Sequence, residues 1–161
     1  MNEKQATVRI ASYCSKAERC EYDVRKKLIA WELDSDTIGR IISYLKKENF
    51  LNEERFCQSF IRDKVRFNKW GKNKIIFELK KKHISESFVD VSFRALAIDD
   101  EFEEPLMKIL ESKMRSVKAS NDYEKRMKLM RFAAGRGYPA DLVRKCLDQL
   151  IKGAEDDEFV F

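Results

Sequence analysis

Apolar residues recur along this chain at intervals of three and four, in stretches separated by short polar breaks, the spacing that lines up one buried stripe on an α-helix. The pattern also repeats over a longer distance. Moving the sequence by 51 residues sets Val24 on Ile75, Leu28 on Leu79, Leu33 on Ile84, Ile38 on Val89, Ile42 on Phe93 and Leu45 on Leu96. A further 54 sets the same positions on Leu129, Ala133, Tyr138, Val143, Leu147 and Leu150, so a third copy is present. Each copy reads as helix, break, helix. Residues suited to starting a new helix stand at equivalent places in the breaks: Asp34-Ser35-Asp36, Ser85-Glu86-Ser87, and Gly137-Tyr138-Pro139 with Asp141 following. Upstream of each pair runs another helical stretch, with Phe56, Phe60, Ile61 and Val65 in the middle copy and Leu106, Ile109, Leu110 and Met114 in the third.

The spacing predicts helices over 4–18, 21–31, 35–48, 53–68, 72–82, 86–97, 101–118, 122–135 and 140–152. Ser15-Lys16-Ala17-Glu18 has the form of a capping box. The repeat alignment instead places Cys20 opposite Gly71 at a helix junction, and six matched apolar positions outweigh one four-residue motif. The fold expected is all-α: three-helix repeats over 6–51, 52–97 and 98–152, then an acidic tail over 153–161 in which Glu155-Asp156-Asp157-Glu158 precedes Phe159-Val160-Phe161.

Composition supports this reading. Five glycines and two prolines in 161 residues are too few for the frequent turns of a β-sandwich, and 43% hydrophobic residues with 11 Phe argue against disorder. No run of apolar residues is long enough to span a membrane, and Met1-Asn2-Glu3-Lys4-Gln5 lacks the apolar core of a signal peptide, so a cytoplasmic protein with no membrane partner is expected. Cys14, Cys20, Cys57 and Cys146 show no CxxC spacing, which leaves buried, reduced thiols as the reading rather than a disulfide framework or a zinc site.

The net charge of +5 is uneven: residues 6–51 carry +2, 52–97 carry +5 and 98–161 carry −2. The densest cationic run, Arg62, Lys64, Arg66, Lys69, Lys72 and Lys74, is interleaved with Phe67 and Trp70, and Lys80-Lys81-Lys82 follows one helix later. Cations beside aromatics can hold phosphates and stack on bases. The plainer readings are a solvated face, core packing for Phe67 and Trp70, and lysines that complement the negative end of a helix. Catalytic patterns are missing: no Walker glycine loop, GxSxG elbow or HExxH pair occurs. The single histidine, His83, follows three lysines at a predicted helix end, which favours a cap or surface role. The carboxylate pairs fall at predicted helix starts, where their charge suits the helix dipole. No enzyme activity, metal or cofactor is expected.

Three segments carry a resemblance: Asn52-Glu53-Glu54-Arg55-Phe56-Cys57-Gln58-Ser59-Phe60-Ile61-Arg62, Lys69-Trp70-Gly71-Lys72-Asn73-Lys74-Ile75, and Glu78-Leu79-Lys80-Lys81-Lys82-His83-Ile84-Ser85. With Asp23-Val24-Arg25-Lys26-Lys27-Leu28 in the first repeat, they resemble the RecX family of RecA regulators. The chain departs from the family pattern at Cys20, where Ser or a similar cap is common, at Lys72, where Pro or Arg is frequent, and at His83, where Gly is usual. The resemblance implies a non-enzymatic, elongated and curved array of three-helix repeats in the cytoplasm. It also implies a monomer that binds the RecA filament and limits ATP hydrolysis, strand exchange and support of repressor self-cleavage in DNA repair and the SOS response. Single- or double-stranded DNA is a further expected contact. The residues expected to make these contacts are Arg55, Arg62, Lys64, Arg66, Lys69, Trp70, Lys72, Lys74, Lys80, Lys81 and Lys82. Two other classes compete: a helix-turn-helix transcription regulator, which needs one polar recognition helix and a dimer interface, and a passive helical scaffold, whose common repeats are shorter.

Overall fold

The computed structural model describes residues 1–158, with side chains up to Ile151. Among the described residues the secondary structure is helical throughout: α1 (Glu3–Lys16), α2 (Glu21–Ala30), α3 (Ser35–Lys47), α4 (Glu53–Arg66), α5 (Lys72–Lys81), α6 (Glu86–Leu96), a 3-10 turn (Asp99–Glu101), α7 (Glu103–Ser116), α8 (Asp122–Gly135) and α9 (Ala140–Glu158). The nine predicted helices are all present, in tandem sets of three. Helix α9 runs past its predicted end at 152, because Gly153 weakens a helix without stopping it. Of the expected acidic tail, Phe159-Val160-Phe161 and the side chains of Glu155-Asp156-Asp157-Glu158 lie outside the described residues.

The chain divides into two compact units, Met1–Phe60 with Leu79–Ser92, and Ile61–Glu78 with the chain from Phe93 onward. In the first, α1, α2 and α3 close on a core of Ala6, Ile10, Val24, Leu28, Ile38, Ile41, Ile42 and Leu45, with Trp31, Leu33 and Phe50 packed at its edge. In the second, α7, α8 and α9 pack on one another, burying Leu106, Leu110, Leu129, Ala133, Val143 and Leu147. Each full-length aliphatic side chain buried in this way contributes about 1.5–3 kcal/mol.

Capping chemistry sets where most helices begin. The Asn2 side chain accepts from the Gln5 amide in a capping box, and Asp34, Asn52 and Asn121 accept from the amides three residues on, at 2.7, 2.9 and 2.8 Å. Ser85 does the same for α6 at 3.3 Å. Cys20, as the alignment requires, is the residue before α2, and Ser15 merely donates back to the Ala11 carbonyl within α1 at 2.9 Å.

The repeat also fixes a backbone detail. Glu32, His83 and Gly137, equivalent in the three copies, all take left-handed conformations with φ of 62°, 61° and 94° just after α2, α5 and α8. The chain turns there, with amides of His83 and Gly137 returning to carbonyls three residues back at 3.0 Å each. A side chain strains this conformation and glycine does not. Glu32→Gly, at an exposed position, is therefore expected to raise stability by about 0.5–1 kcal/mol in urea unfolding, the backbone relief exceeding the added freedom of the unfolded chain. A loss of stability would mean that the Glu32 side chain makes a contact worth more than the strain.

Candidate functional site

Helices α2 and α5, the middle helices of their repeats, open without a side-chain cap of their own, and each borrows partners from far along the chain. At α2 the amide of Glu21 donates to the Glu53 carboxylate from the start of α4, at 2.7 Å. At α5 the amides of Gly71 and Asn73 donate to the carbonyls of Arg136 and Gly137, at 2.7 and 2.9 Å. These two junctions organise the cationic residues of the first and second units respectively.

In the first unit two of the candidates, Arg55 and Lys82, are engaged with neighbouring acids. The Arg55 guanidinium reaches Glu18 at 2.9 Å and the Asn49 carbonyl at 2.9 Å, tying the start of α4 to the segments before α2 and after α3. Lys82 donates to Asp23 at 2.7 Å. Burial opposes the charge on Lys82, but the hydrogen bond and charge of Asp23 outweigh it and hold the ammonium protonated above its usual range. Next to this pair the His83 ring stacks on Tyr22 with centroids 4.6 Å apart, so His83 serves a helix end and a stacking contact. Lys80 and Lys81 are exposed at the end of α5.

Burial is the main influence on Glu53, raising its pKa; the Glu21 amide and Lys46 pull it down, while the charges of Glu21 and Asp23 push it up. A carboxyl with a raised folded-state pKa destabilises the fold once ionised: the penalty is absent below the unfolded value, grows as pH rises through the interval up to the folded value, and is fully present above it. Glu53→Gln keeps an acceptor for the Glu21 amide and removes that penalty. Its stability at pH 7 is expected to match or exceed that of the parent, whereas Glu53→Ala, which strips the cap, is expected to cost about 1 kcal/mol. Equal stability of the two variants in urea titrations would mean that the cap contributes nothing.

In the second unit the cations gather around the α4–α5 junction. The Trp70 amide donates to the Lys64 carbonyl at 3.0 Å, bringing the chain back over the end of α4. Lys64 and Lys74 place their ammonium groups 4.8 and 4.6 Å from the centre of the Trp70 ring. Trp70 is half-buried and so serves the junction while retaining some exposed surface. Lys72 is held by Asp99 at 3.3 Å and lies 4.9 Å from the Phe93 ring centre. Arg66 sits 3.9 Å from Glu101, and Arg62 is exposed on α4. The expected run thus separates: Lys64, Trp70 and Lys74 form one cluster, Lys69 precedes Trp70 in the chain and lines a groove with Lys108, Lys72 and Arg66 face acids, and Arg55 and Lys82 belong to ion pairs of the other unit.

Sequence reading missed what fixes this cluster. Gly71 and Gly137 meet backbone to backbone: a Cβ on Gly71 would lie 2.3 Å from the Gly137 carbonyl carbon. The buried Tyr138 hydroxyl donates to the Lys69 carbonyl at 2.9 Å, and burial pushes its pKa up to about 12, so it remains a donor. One signal was available in the sequence. Helix α5 has no acidic residue in its first turn and carries Lys72 and Lys74 there, against the helix dipole.

The four cysteines are buried free thiols whose pKa values burial pushes up, to about 12 for Cys20, which makes them poor nucleophiles. Among the described residues no group of three or more His, Cys, Asp and Glu side chains could hold a metal ion, and no helix is long and apolar enough to cross a membrane.

Fold and site together define a class: an all-helical protein of tandem three-helix repeats whose most cationic segment is built around a helix junction. Family profiles described as the second and third three-helix domains of RecX match residues 52–91 and 99–147. The chain is 30% identical over 147 residues to the regulatory protein RecX of Clostridium perfringens strain 13, and 32% identical over 149 residues to that of strain SM101, covering 90% of this chain and 66% of each relative. It therefore spans just under two thirds of the length of these curated relatives. In fold it is similar to the crystal structure of RecX from Lactobacillus salivarius, with a TM-score of 0.80 at 20% identity over 92% of this chain and 96% of that one. A second crystal structure, of a regulatory protein RecX, gives a TM-score of 0.80 at 19% identity over 91% and 71%. The chain belongs to the RecX family of regulatory proteins.

Proposed function

We propose that this chain is a cytoplasmic, monomeric regulator that binds the RecA filament on DNA and restrains its ATP hydrolysis, strand exchange and support of repressor cleavage. Family membership supports a regulator. The observation that carries the reading to particular residues is the α4–α5 junction, where Lys64 and Lys74 flank Trp70 and helix α5 opens with cations that its own dipole disfavours. Such a placement sacrifices local stability, and an anionic partner offsets the loss when it binds. A filament presents that partner as DNA phosphates and as acidic protein surface. Lys64, Lys69, Trp70 and Lys74 are the primary contacts in this reading, with Arg62, Arg66 and Lys72 beside them and Lys80 and Lys81 further along. Arg55 and Lys82 act first as internal ion pairs.

Co-sedimentation tests the proposal. The protein is spun with RecA assembled on single-stranded DNA, with RecA alone and with DNA alone. Selective pelleting with the filament is expected. Equal retention on bare DNA would reduce the chain to a simple nucleic-acid binder, and no pelleting with the filament would end the proposal.

A further inference from the structure

A groove of about 420 Å³ in the second unit is lined by α7, α8 and the junction residue Lys69. Among the described residues its charged lining is four cations, Lys69, Lys108, Lys113 and Arg136, joined by the Ser112 hydroxyl, with no carboxylate. The half-buried Phe132 ring lies among them, with the Lys113 ammonium and the Arg136 guanidinium carbon each 5.1 Å from its centre. Four like charges around one cavity repel one another and create a focused positive potential for an anion.

The site is also built in advance. The Lys69 carbonyl accepts from Tyr138 and the Arg136 carbonyl from Gly71, so the backbones carrying two of the cations are fixed by the Gly71–Gly137 junction. Fixing them beforehand reduces the ordering that a ligand must impose. Lys108 is shared with Glu104 at 3.3 Å, and the adjoining cleft beyond Lys69 and Lys108 carries Asp100, Glu101 and Glu104. Those acids repel an anion from the adjoining cleft and leave the groove between Lys69, Lys108, Lys113 and Arg136 as its place. The Phe132 ring in the lining supplies an aromatic surface at the phosphate site, and through Lys69 the groove is followed in the chain by Trp70. Cations tracking a backbone beside an aromatic platform suit an unpaired strand, whose bases are free to stack.

We infer that this groove binds the phosphodiester backbone of single-stranded nucleic acid, with Lys69, Lys108, Lys113 and Arg136 as the phosphate contacts and Ser112 as a hydrogen-bond donor. The binding belongs to the chain alone and does not depend on RecA being its partner.

The test is fluorescence anisotropy of a labelled oligothymidylate titrated with the full chain over a salt series. Lys108→Gln combined with Lys113→Gln is expected to weaken binding about tenfold at low salt and to reduce the slope of log affinity against log salt by about 1.4, the share of two strand phosphates. Lys4→Gln with Lys47→Gln, exposed on the first unit, is expected to leave both unchanged. Unaltered affinity and slope in the groove variant would overturn the inference. So would equal affinity for a duplex of the same length, or displacement of the strand by inorganic phosphate at matching concentration, which would mark a free-phosphate site. Co-sedimentation of the groove variant with RecA filaments separates the two proposals: loss of oligothymidylate binding with filament binding kept supports the groove as a nucleic-acid site, and the reverse result assigns it to a protein surface and overturns the inference.

Discussion

Replacing Gly71 with alanine is expected to lower the unfolding free energy by about 3 kcal/mol or more. Gly71 is needed for space rather than for a special dihedral. Its Cβ would lie 2.3, 2.4 and 2.4 Å from the carbonyl carbon and oxygen of Gly137 and the nitrogen of Tyr138. All three are backbone atoms, so no rotamer change relieves the overlap and the two segments must separate. Separation stretches the Gly71 and Asn73 hydrogen bonds to the carbonyls of residues 136 and 137, and with them the Tyr138 contact to Lys69. Each such bond is worth about 1 kcal/mol net, and overpacking adds about 1–3 kcal/mol. Tyr138→Phe, which removes one bond and no space, serves as the comparator and is expected to cost only about 1 kcal/mol. Urea unfolding of the three proteins decides the matter. A Gly71→Ala variant as stable as the parent would show that the junction yields without penalty.

Reversing Lys69 and Lys74 to glutamate is expected to raise the concentration needed for half-inhibition of RecA's DNA-dependent ATPase by about tenfold or more at low salt. Lys72 is left in place because its ammonium is held by Asp99 and lies near the Phe93 ring, so reversing it would disturb the unit itself. Lys74 lies in the first turn of α5, where glutamate complements the dipole that lysine opposes. Folding should therefore be kept, with Lys74→Glu alone neutral or stabilising by about 0.5 kcal/mol against the loss of its contact with Trp70. Opposite movement of stability and inhibition is the signature sought. An inhibition curve identical to that of the parent would remove this face from the filament contact.

The helices and much of the core were legible in the sequence because helical burial has a local period. Val24, Ile75 and Leu129 are fully buried, as are Leu28, Leu79 and Ala133, and Ile38, Val89 and Val143 are nearly so. The match weakens at the last position of the pattern: Leu45 is fully buried, while Leu96 and Leu150 are only partly covered. A shared apolar character places these side chains toward the interior without fixing how much surface each neighbour covers. Helix starts at Asn52, Ser85 and Asn121 follow from side chains that reach only three residues.

The cationic residues were legible as a group and not as individuals. Arg55, Lys72 and Lys82 look no different in sequence from Lys69 and Lys74, yet folding pairs the first three with Glu18, Asp99 and Asp23. Their partners lie 37, 27 and 59 residues away, a separation that no local pattern encodes. Lys108, Lys113 and Arg136 lie in a net acidic segment of the sequence and become one side of a groove only when α7 and α8 pack.

By itself, then, the sequence determined the helices, the threefold repetition and the basic character of the middle segment, because apolar period, capping and charge are properties of neighbouring residues. Tertiary structure alone decided which cations are spent on internal ion pairs, which gather at the Trp70 junction and the α7–α8 groove, and why two glycines must meet. Those outcomes depend on distances between segments far apart in the chain, and such distances exist only after the helices have packed.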